Sequence, residues 1–197
     1  MTIDKYDVIV IGAGPGGYVG AIRLGQLKKK VLVVEKAKIG GLCLNWGCIP
    51  TKALTHILEI AEKVKHLKNS GLTVDNIKID LDTLRNWKTS VITRLTKGVE
   101  HLFRSHSVHW IQAEAELINP KKVLIKKPTG EKSEVETDFI IIATGTEASG
   151  LPNLTPDKEN IITTDEALEL SEIPSQLLIV GAGASGLEIG TIYARLG

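Results

Sequence analysis

The sequence predicts an α/β fold in which parallel strands alternate with helices, and a pattern that occurs twice carries this prediction. Residues 6–11 form a nearly continuous apolar run, which is followed by a glycine-rich run at residues 12–17, a helical segment and a second apolar run. Residues 177–186 repeat the apolar run and the glycine run near the end of the sequence. Such apolar runs are typical of strands covered on both faces of a parallel sheet. We therefore predict a Rossmann-like parallel sheet, followed by the first strand and helix of a second Rossmann-like domain.

The other elements follow from hydrophobic periodicity and from the positions of turn residues. Helices are predicted at residues 15–29, 50–67, 81–104 and 165–170 and from the second glycine run to the end. Strands are predicted at residues 31–34, 108–113 and 177–180, with an antiparallel β excursion over residues 122–142 that turns at residues 128–130.

The same pattern predicts how the chain is divided into domains. We expect a dinucleotide-binding domain at residues 1–150, a connector with three prolines at residues 151–175, and the start of a second nucleotide-binding domain at residues 176–197. A lone strand and helix cannot form a parallel sheet, because the crossover needs a partner strand. We therefore expect the 197 residues to be part of a longer chain.

Composition excludes several classes of partner. Lys and Arg number 24 against 23 Asp and Glu, so the net charge of +1 gives no electrostatic reason to expect a nucleic acid. The longest apolar runs have the length of strands and are too short to span a membrane. The N-terminus has no room for a signal peptide before the first strand, and two cysteines are too few for a secreted disulfide scaffold. We therefore expect a cytoplasmic protein with no membrane partner.

The first glycine run has the context that a dinucleotide site requires. It follows a strand, opens a helix and has an acidic residue, Glu35, at the end of the next strand. Gly12 would allow the tight turn, Gly14 would let the backbone approach a pyrophosphate, and Gly17 would let the helix pack closely on the strand. Glu35 would accept hydrogen bonds from a ribose. The alternative is a purely structural glycine turn, which we consider the weaker interpretation.

The second glycine run, with Gly181, Gly183 and Gly186, predicts the same mechanics for a second dinucleotide. Its acidic partner would lie on the strand that follows the helix, beyond residue 197. Because that strand distinguishes a ribose hydroxyl from a 2′-phosphate, NAD and NADP stay equally open from these residues.

Cys43 and Cys48 form a close pair just beyond Glu35. Four intervening residues that include a glycine can bring two sulfurs within bonding distance, so a redox disulfide beside a cofactor is the favoured interpretation. An inert buried pair stays open. A zinc site would need two more ligands, and the loosely grouped His101, His106 and His109 lack the usual spacing to the cysteines, so we predict no metal.

The segment GGLCLNWGCIPTKAL at residues 40–54 resembles the active-site segment of the FAD-dependent pyridine nucleotide–disulfide oxidoreductases, and most of all that of the dihydrolipoamide dehydrogenases. The first glycine run, the ATGT run at residues 143–146 and residues 180–190 appear in the order typical of that family. The resemblance therefore covers essentially the whole sequence.

The resemblance implies a role for each matching residue. The residues implied in FAD binding are Gly12, Gly14, Gly17, Glu35, Lys36, Gly41, Thr144 and Gly145, and those for NAD are Gly181, Gly183 and Gly186. Lys52 would lie near the flavin and pair with Glu188, although a solvated helix lysine is the simpler alternative. Cys48 would be the thiolate that faces the flavin, and Cys43 the sulfur that exchanges with substrate.

The resemblance also implies an activity: oxidation of dihydrolipoyl groups of 2-oxo acid dehydrogenase complexes, with FAD and NAD as cofactors. The alternatives are a sister reductase of the glutathione or mercuric type, a soluble transhydrogenase, which lacks one of the two cysteines, or a truncated flavin-binding module without turnover. The family's catalytic His–Glu pair lies in a C-terminal domain that also forms the homodimer. Since no such segment is present, we assign no general base and expect the isolated chain to be inactive. Thr51 stands where serine is common and keeps the hydroxyl.

Overall fold

The computed structural model describes residues 5–72, 74 and 76–197, and the chain divides into two compact units. The sheet unit consists of Met1–Asn45 and Arg94–Thr146. The helical unit consists of Trp46–Thr93 and Glu147–Gly197. The predicted domain limits at residues 150 and 175 were placed by the function expected of each part, whereas the two units are defined by compactness. These limits stay a prediction.

The sheet unit is built on six strands in the order β3-β2-β1-β6-β5-β4. Its elements are β1 (Lys5–Ile11), α1 (Pro15–Gln26), β2 (Val31–Glu35), α2 (Gly41–Asn45), β3 (Val108–Gln112), β4 (Glu114–Asn119), β5 (Lys122–Lys126) and β6 (Lys132–Ile142). Strands β3, β2, β1 and β6 run parallel to one another, whereas β5 and β4 are antiparallel to their neighbours. The α/β fold class, the parallel sheet and the antiparallel excursion are therefore confirmed.

The apolar runs of strands β1 and β2 are buried because they are covered on both faces. Ile9 and Val10 of β1 and Val31 and Val33 of β2 have no exposed surface. In the register, Ile9 lies opposite Leu32 and Val10 opposite Val33, so the β1–α1–β2 unit has the parallel pairing that the sequence predicts. This pairing places the glycine run and Glu35 at the same end of the sheet.

Strand β6 joins the parallel and antiparallel parts of the sheet. Its first half, from Lys132 to Glu136, pairs antiparallel with β5, and Glu136 to Ile142 pair parallel with β1. The turn before it has Gly130 in the left-handed region, at φ +86°. Strand β4 was not predicted: it lies at the sheet edge, and its mostly exposed side chains form no apolar run of strand length.

The helical unit contains α3 (Cys48–His66), α5 (Thr164–Glu169), α6 (Ala184–Leu196) and the first half of α4 (Leu81–Ser105). A short 3₁₀ turn, Leu67–Ser70, follows α3. The helices share one apolar core, which consists of Leu54, Leu58, Leu84, Ala167, Leu168, Leu170, Ile189, Ile192 and Tyr193. The second half of α4 belongs to the sheet unit, where Phe103 is fully buried.

Two predicted helix limits differ from the structure by two residues or more, and one predicted strand is not formed. Helix α1 ends at Gln26 rather than Lys29, because Lys28 adopts the left-handed conformation at φ 63°. Helix α3 begins at Cys48 rather than Pro50, since a proline is tolerated within the first turn. The predicted strand at residues 177–180 was wrong: these residues form no strand, and Leu178 is 89% exposed. A strand exists only through its ladder, and no described residues pair with this segment.

Two cations hold the carboxyl end of α5. Arg85 Nη1 donates to the Leu170 carbonyl at 3.0 Å, and the amine of Lys88 donates to the Leu168 carbonyl. Lys88 is only 4% exposed, and the Glu169 carboxylate lies 4.0 Å from its amine. Burial lowers the pKa of Lys88 below its ordinary value of 10.5, and it outweighs the opposing effect of Glu169.

This lowered pKa gives a signed prediction for stability. Between the folded-state pKa of Lys88 and 10.5, the unfolded chain binds more protons than the folded chain, so the contribution of Lys88 to stability rises with pH. We expect the difference in free energy of unfolding between wild type and Lys88→Met to increase over that range in urea titrations. Lys97→Met, at an exposed position of the same helix, is the control. A flat or falling difference for Lys88→Met would contradict the prediction.

Candidate functional site

The first glycine run forms a loop between β1 and α1 that only glycine can build at two positions. Gly12 has φ +102°, and a Cβ atom there would lie 2.2 Å from the carbonyl oxygen of Ala143. A Cβ atom on Gly17 would lie 1.9 Å from the carbonyl oxygen of Gly12. Distances this short are steric overlaps, so the absence of both side chains lets α1 pack against the loop and the loop against the end of β6.

Gly14 differs from these two, because the protein itself leaves room for a side chain there. A Cβ atom on Gly14 would meet only the Cα atom of Gly41 at 3.9 Å, and one on Gly16 would meet nothing within 4 Å. Gly14 is the N-cap of α1, which has no side-chain cap and no acidic residue in its first turn. The positive end of the helix is therefore uncompensated beside open space, which is the arrangement that binds a phosphate.

Glu35 ties the end of β2 to this loop. It is 8% exposed, and its two carboxylate oxygens accept hydrogen bonds from the amides of Ala13 at 2.7 Å and Ala37 at 2.8 Å. Each oxygen has a second lone-pair direction, so these bonds are compatible with the predicted bond to a ribose. Glu35 thus has a structural role that the sequence did not reveal. Lys36, the next residue, is exposed.

A second loop, at residues 39–41, lies against the first. The Gly40 amide donates to the Ala13 carbonyl at 2.8 Å. Gly41 has φ +56°, and a Cβ atom there would lie 2.6 Å from the Cα atom of Gly14. The side-chain amide of Asn45 donates to the carbonyls of Ile39 at 3.0 Å and Gly41 at 2.9 Å. Asn45 therefore fixes the loop that begins α2 and with it the helix that carries Cys43. Its role was missed, since it depends on bonds that composition and spacing do not show.

Cys43 is half-buried in α2, and Tyr18 of α1 is its electrostatic neighbour. Burial raises the pKa of Tyr18, and the charge of the Cys43 thiolate raises it further. Tyr18 was not predicted as a site residue, because nothing in the local sequence shows that the two helices bring these groups together.

Thr144 and Gly145, which the resemblance implies in FAD binding, lie one residue beyond the end of β6 and are exposed. Gly145 has φ +69°, with open space where its side chain would be. The Ala143 amide donates to the Ile11 carbonyl at 2.8 Å, so this segment leaves the sheet beside the start of the first glycine loop.

Cys48 is the first residue of α3 and is exposed. The N-cap residue before it, Gly47, offers no side-chain hydrogen bond, and the first turn of α3 has no acidic residue. The structure records both cysteines as thiols outside any disulfide, and they belong to different units. The Cys43–Cys48 disulfide therefore stays a prediction.

Lys52 and Glu188 are brought together within the helical unit. The amine of Lys52, in the first turns of α3, lies 2.6 Å from the carboxylate of Glu188 on α6. Further along the same two helices, Arg195 and Glu59 approach to 3.8 Å. The pairing that the resemblance implies is thus present, and the position of Lys52 near a flavin stays a prediction.

The second glycine run reproduces the geometry of the first. Gly181 has φ +114°, against +102° for Gly12, and a Cβ atom on Gly186 would lie 2.2 Å from the Gly181 carbonyl oxygen. Gly183 caps α6 with φ −75° and ψ −180°, nearly the values of Gly14, and no residue lies within 4 Å of where its Cβ atom would be. The loop has this geometry although residues 177–180, which precede it, form no strand.

Neither metal ligation nor membrane insertion has support in the described residues. No group of three His, Cys, Asp or Glu side chains in residues 5–72, 74 and 76–197 could hold a metal ion. Of the loosely grouped histidines, His109 shares a hydrogen bond with the Tyr6 hydroxyl, with 3.0 Å between its Nδ1 and the hydroxyl oxygen. Within that same part of the chain, no helix has both the length and the apolar character needed for crossing a bilayer.

The chain matches known proteins along nearly its whole length. The family model described as pyridine nucleotide-disulphide oxidoreductase matches residues 6–197. The chain belongs to this family. It is 41% identical over 196 residues to the mitochondrial dihydrolipoyl dehydrogenase of Pisum sativum and 42% identical over 194 residues to the dihydrolipoyl dehydrogenase of Zymomonas mobilis. It is also 40% identical over 196 residues to a leghemoglobin reductase of Vigna unguiculata.

These matches cover 98% of this chain but only 39%, 42% and 38% of the three relatives, in the order given. The chain therefore spans about two fifths of the length of the curated relatives. In fold it is similar to a crystal structure of LpdA from Mycobacterium tuberculosis, with a TM-score of 0.88 at 24% identity, over 98% of this chain and 43% of that one.

Members of this family use FAD and NAD(H) as cofactors. The sheet unit fits a dinucleotide such as FAD, because the uncapped helix end beside Gly14 faces space that the protein does not fill. The helical unit has the same features at Gly183.

The open space at Gly14 makes a prediction that separates binding from folding. Gly14→Ala should fold normally, since its methyl group meets no protein atom closer than 3.9 Å, but it should bind FAD about tenfold more weakly or worse, because the methyl occupies the place of the pyrophosphate. Gly20→Ala, also on α1 and also with open space around it, is the matched control. Flavin absorbance per protein and the urea midpoint would be measured for both variants. Undiminished FAD content in Gly14→Ala would contradict the prediction.

Proposed function

We propose that the full-length protein carrying this sequence is a flavin-dependent disulfide oxidoreductase that oxidises dihydrolipoyl groups with NAD⁺. The observation that carries the proposal is the pair of glycine loops with matching backbone geometry, which flank a cysteine segment in the order typical of the family. Membership of the family and the names of the dihydrolipoyl dehydrogenase relatives support it.

The chain's own part in this chemistry is thiol–disulfide exchange at Cys43 and Cys48. A substrate thiolate attacks the Cys43 sulfur of a Cys43–Cys48 disulfide, forms a mixed disulfide and releases Cys48 as a thiolate. The second substrate thiol then attacks the substrate sulfur of the mixed disulfide and displaces Cys43, which leaves as a thiol with the proton of the attacking group, so the substrate leaves as a disulfide. Two electrons have then passed from the substrate dithiol to the cysteine pair.

The released thiolate is stabilised by the position of Cys48 at the first residue of a 19-residue helix. The backbone amides at this end of α3 carry a partial positive charge, and no acidic residue in the first turn offsets it. Lys52 adds a positive charge one turn further along, and its ion pair with Glu188 holds its amine in one place.

The loops of the two units would hold the cofactors. Gly12, Gly14, Gly17 and Glu35, with Lys36, Gly41, Thr144 and Gly145, would bind FAD, and Gly181, Gly183 and Gly186 would bind the nicotinamide dinucleotide. When bound, these cofactors would supply the two-electron chemistry that links the cysteine pair to the nicotinamide, and the residues named here would hold them in place.

We also propose the partners and compartment that go with this activity. The substrate would be the lipoyl groups of 2-oxo acid dehydrogenase complexes, and the protein would act as a homodimer in the cytoplasm. Relatives include both mitochondrial and bacterial proteins. Sister reductases of the glutathione or mercuric type are the alternative. Sequence identities of 40–42% to dihydrolipoyl dehydrogenases favour the lipoyl substrate.

Anaerobic reduction of the FAD-loaded full-length protein with dihydrolipoamide tests the roles of the two cysteines. The wild type should develop a long-wavelength absorption band from a Cys48 thiolate beside the flavin. Cys48→Ser should show no such band. Cys43→Ser is the matched variant and should show the band before any reductant is added, because its Cys48 cannot enter the disulfide.

The controls and the contradicting result are equally direct. The FAD content must be the same in the three proteins. Reduction of dithiobis(nitrobenzoate) cannot replace the absorption band as the readout, because any thiol reduces this reagent. A band that persists in Cys48→Ser, or a full-length protein that carries no flavin, would refute the assignment.

A further inference from the structure

Thr51 is a buried polar residue beside the cysteine segment that the proposed chemistry does not use. It lies in the first turn of α3 and is 5% exposed. Its hydroxyl donates a hydrogen bond to the Gly47 carbonyl oxygen at 2.7 Å, and its backbone amide donates to the same oxygen at 3.1 Å. The Gly47 carbonyl is therefore held by two donors from one residue.

The Gly47 carbonyl matters because it belongs to the peptide group whose nitrogen is that of Cys48. Gly47 is the N-cap of α3, has φ −137° and ψ −107°, and has no side chain that could fix its conformation. Pro50 has no amide hydrogen, so the helix end offers few backbone donors to a thiolate. The orientation of the 47–48 peptide decides where Cys48 and its amide point.

We propose that Thr51 is a positioning residue for Cys48. Its hydroxyl fixes the 47–48 peptide, which orients the Cys48 side chain and keeps the positive end of α3 directed at the sulfur. This inference rests on the proposed function, in which Cys48 acts as a thiolate, and it adds a residue to that machinery.

Other threonines of the helical unit show why this bond is more than routine helix geometry. The hydroxyl of Thr89 on α4 donates to the Arg85 carbonyl at 2.9 Å, the same spacing of four residues. Thr89 is exposed and its acceptor lies inside a helix, where the backbone is already fixed. Thr51, by contrast, is buried, and its acceptor is the carbonyl of the glycine that caps the helix.

The test measures the reactivity of Cys48 without cofactor or substrate turnover. The reduced full-length protein is alkylated with iodoacetamide at one pH, and the rate at each cysteine is followed by peptide mass spectrometry. Thr51→Val keeps the branched shape but loses the hydroxyl, and we expect Cys48 to react about threefold to tenfold more slowly, the range that one hydrogen bond supports. Thr51→Ser should restore the wild-type rate, and the control Thr89→Val should leave it unchanged.

Each outcome decides the inference. An unchanged Cys48 rate in Thr51→Val overturns it, and so does an equal slowing at Cys43 with a lowered unfolding midpoint, which would show a general loss of structure. If Thr51→Val does not fold, the comparison of Thr51→Ala with Thr51→Ser isolates the hydroxyl in the same way. The proposed function fails separately: it falls if the wild type forms no thiolate–flavin band, whatever the alkylation rates are.

Discussion

Contact between backbone segments that carry no side chain is the constraint on which the rest of the structure depends. The Gly17 position of α1 packs on the Gly12 carbonyl, and Gly12 in turn packs on the Ala143 carbonyl at the end of β6. Any side chain at either position would separate the helix from the sheet. Because of these contacts, the uncapped N-terminal end of α1 lies at the carboxyl end of the parallel strands, where a phosphate can reach its amides.

The same kind of backbone contact connects the glycine loop to the segment that carries the cysteines. Gly41 lies against the backbone of Gly14, and Asn45 fixes that approach through two hydrogen bonds to the loop. Cys43 is therefore carried on a helix whose start is fastened to the nucleotide loop. Cys48 begins the next helix, in which the hydroxyl of Thr51 holds the capping peptide. Within the sheet unit, the glycine loop and the helix that carries Cys43 are thus held together by direct backbone contact and by the bonds of Asn45.

Much of the fold was predictable because its signals are local. Short stretches of sequence show the apolar runs of β1 and β2, the glycine spacing and the position of Glu35 at the end of β2. The structure has these features where the sequence predicts them. Strand β4 was missed because it lies at the sheet edge and has no long apolar run. The strand predicted at residues 177–180 was wrong because a strand without a partner has no ladder. The roles of Tyr18 and Lys88 depend on residues distant in the sequence or on burial. The role of Asn45 depends on side-chain hydrogen bonds that residue spacing does not show. The domain limits and the disulfide stay predictions.

The central claim is that Cys43 and Cys48 exchange two electrons with a bound flavin, and an anaerobic reductive titration of the FAD-loaded full-length protein tests it most directly. Dithionite equivalents would be counted against flavin for the wild type and for a Cys43→Ser, Cys48→Ser double variant. The account predicts that the wild type takes up two electrons per flavin more than the double variant, since a disulfide is a two-electron couple. Equal uptake by the two proteins would show that the cysteine pair stores no electrons and would contradict the account.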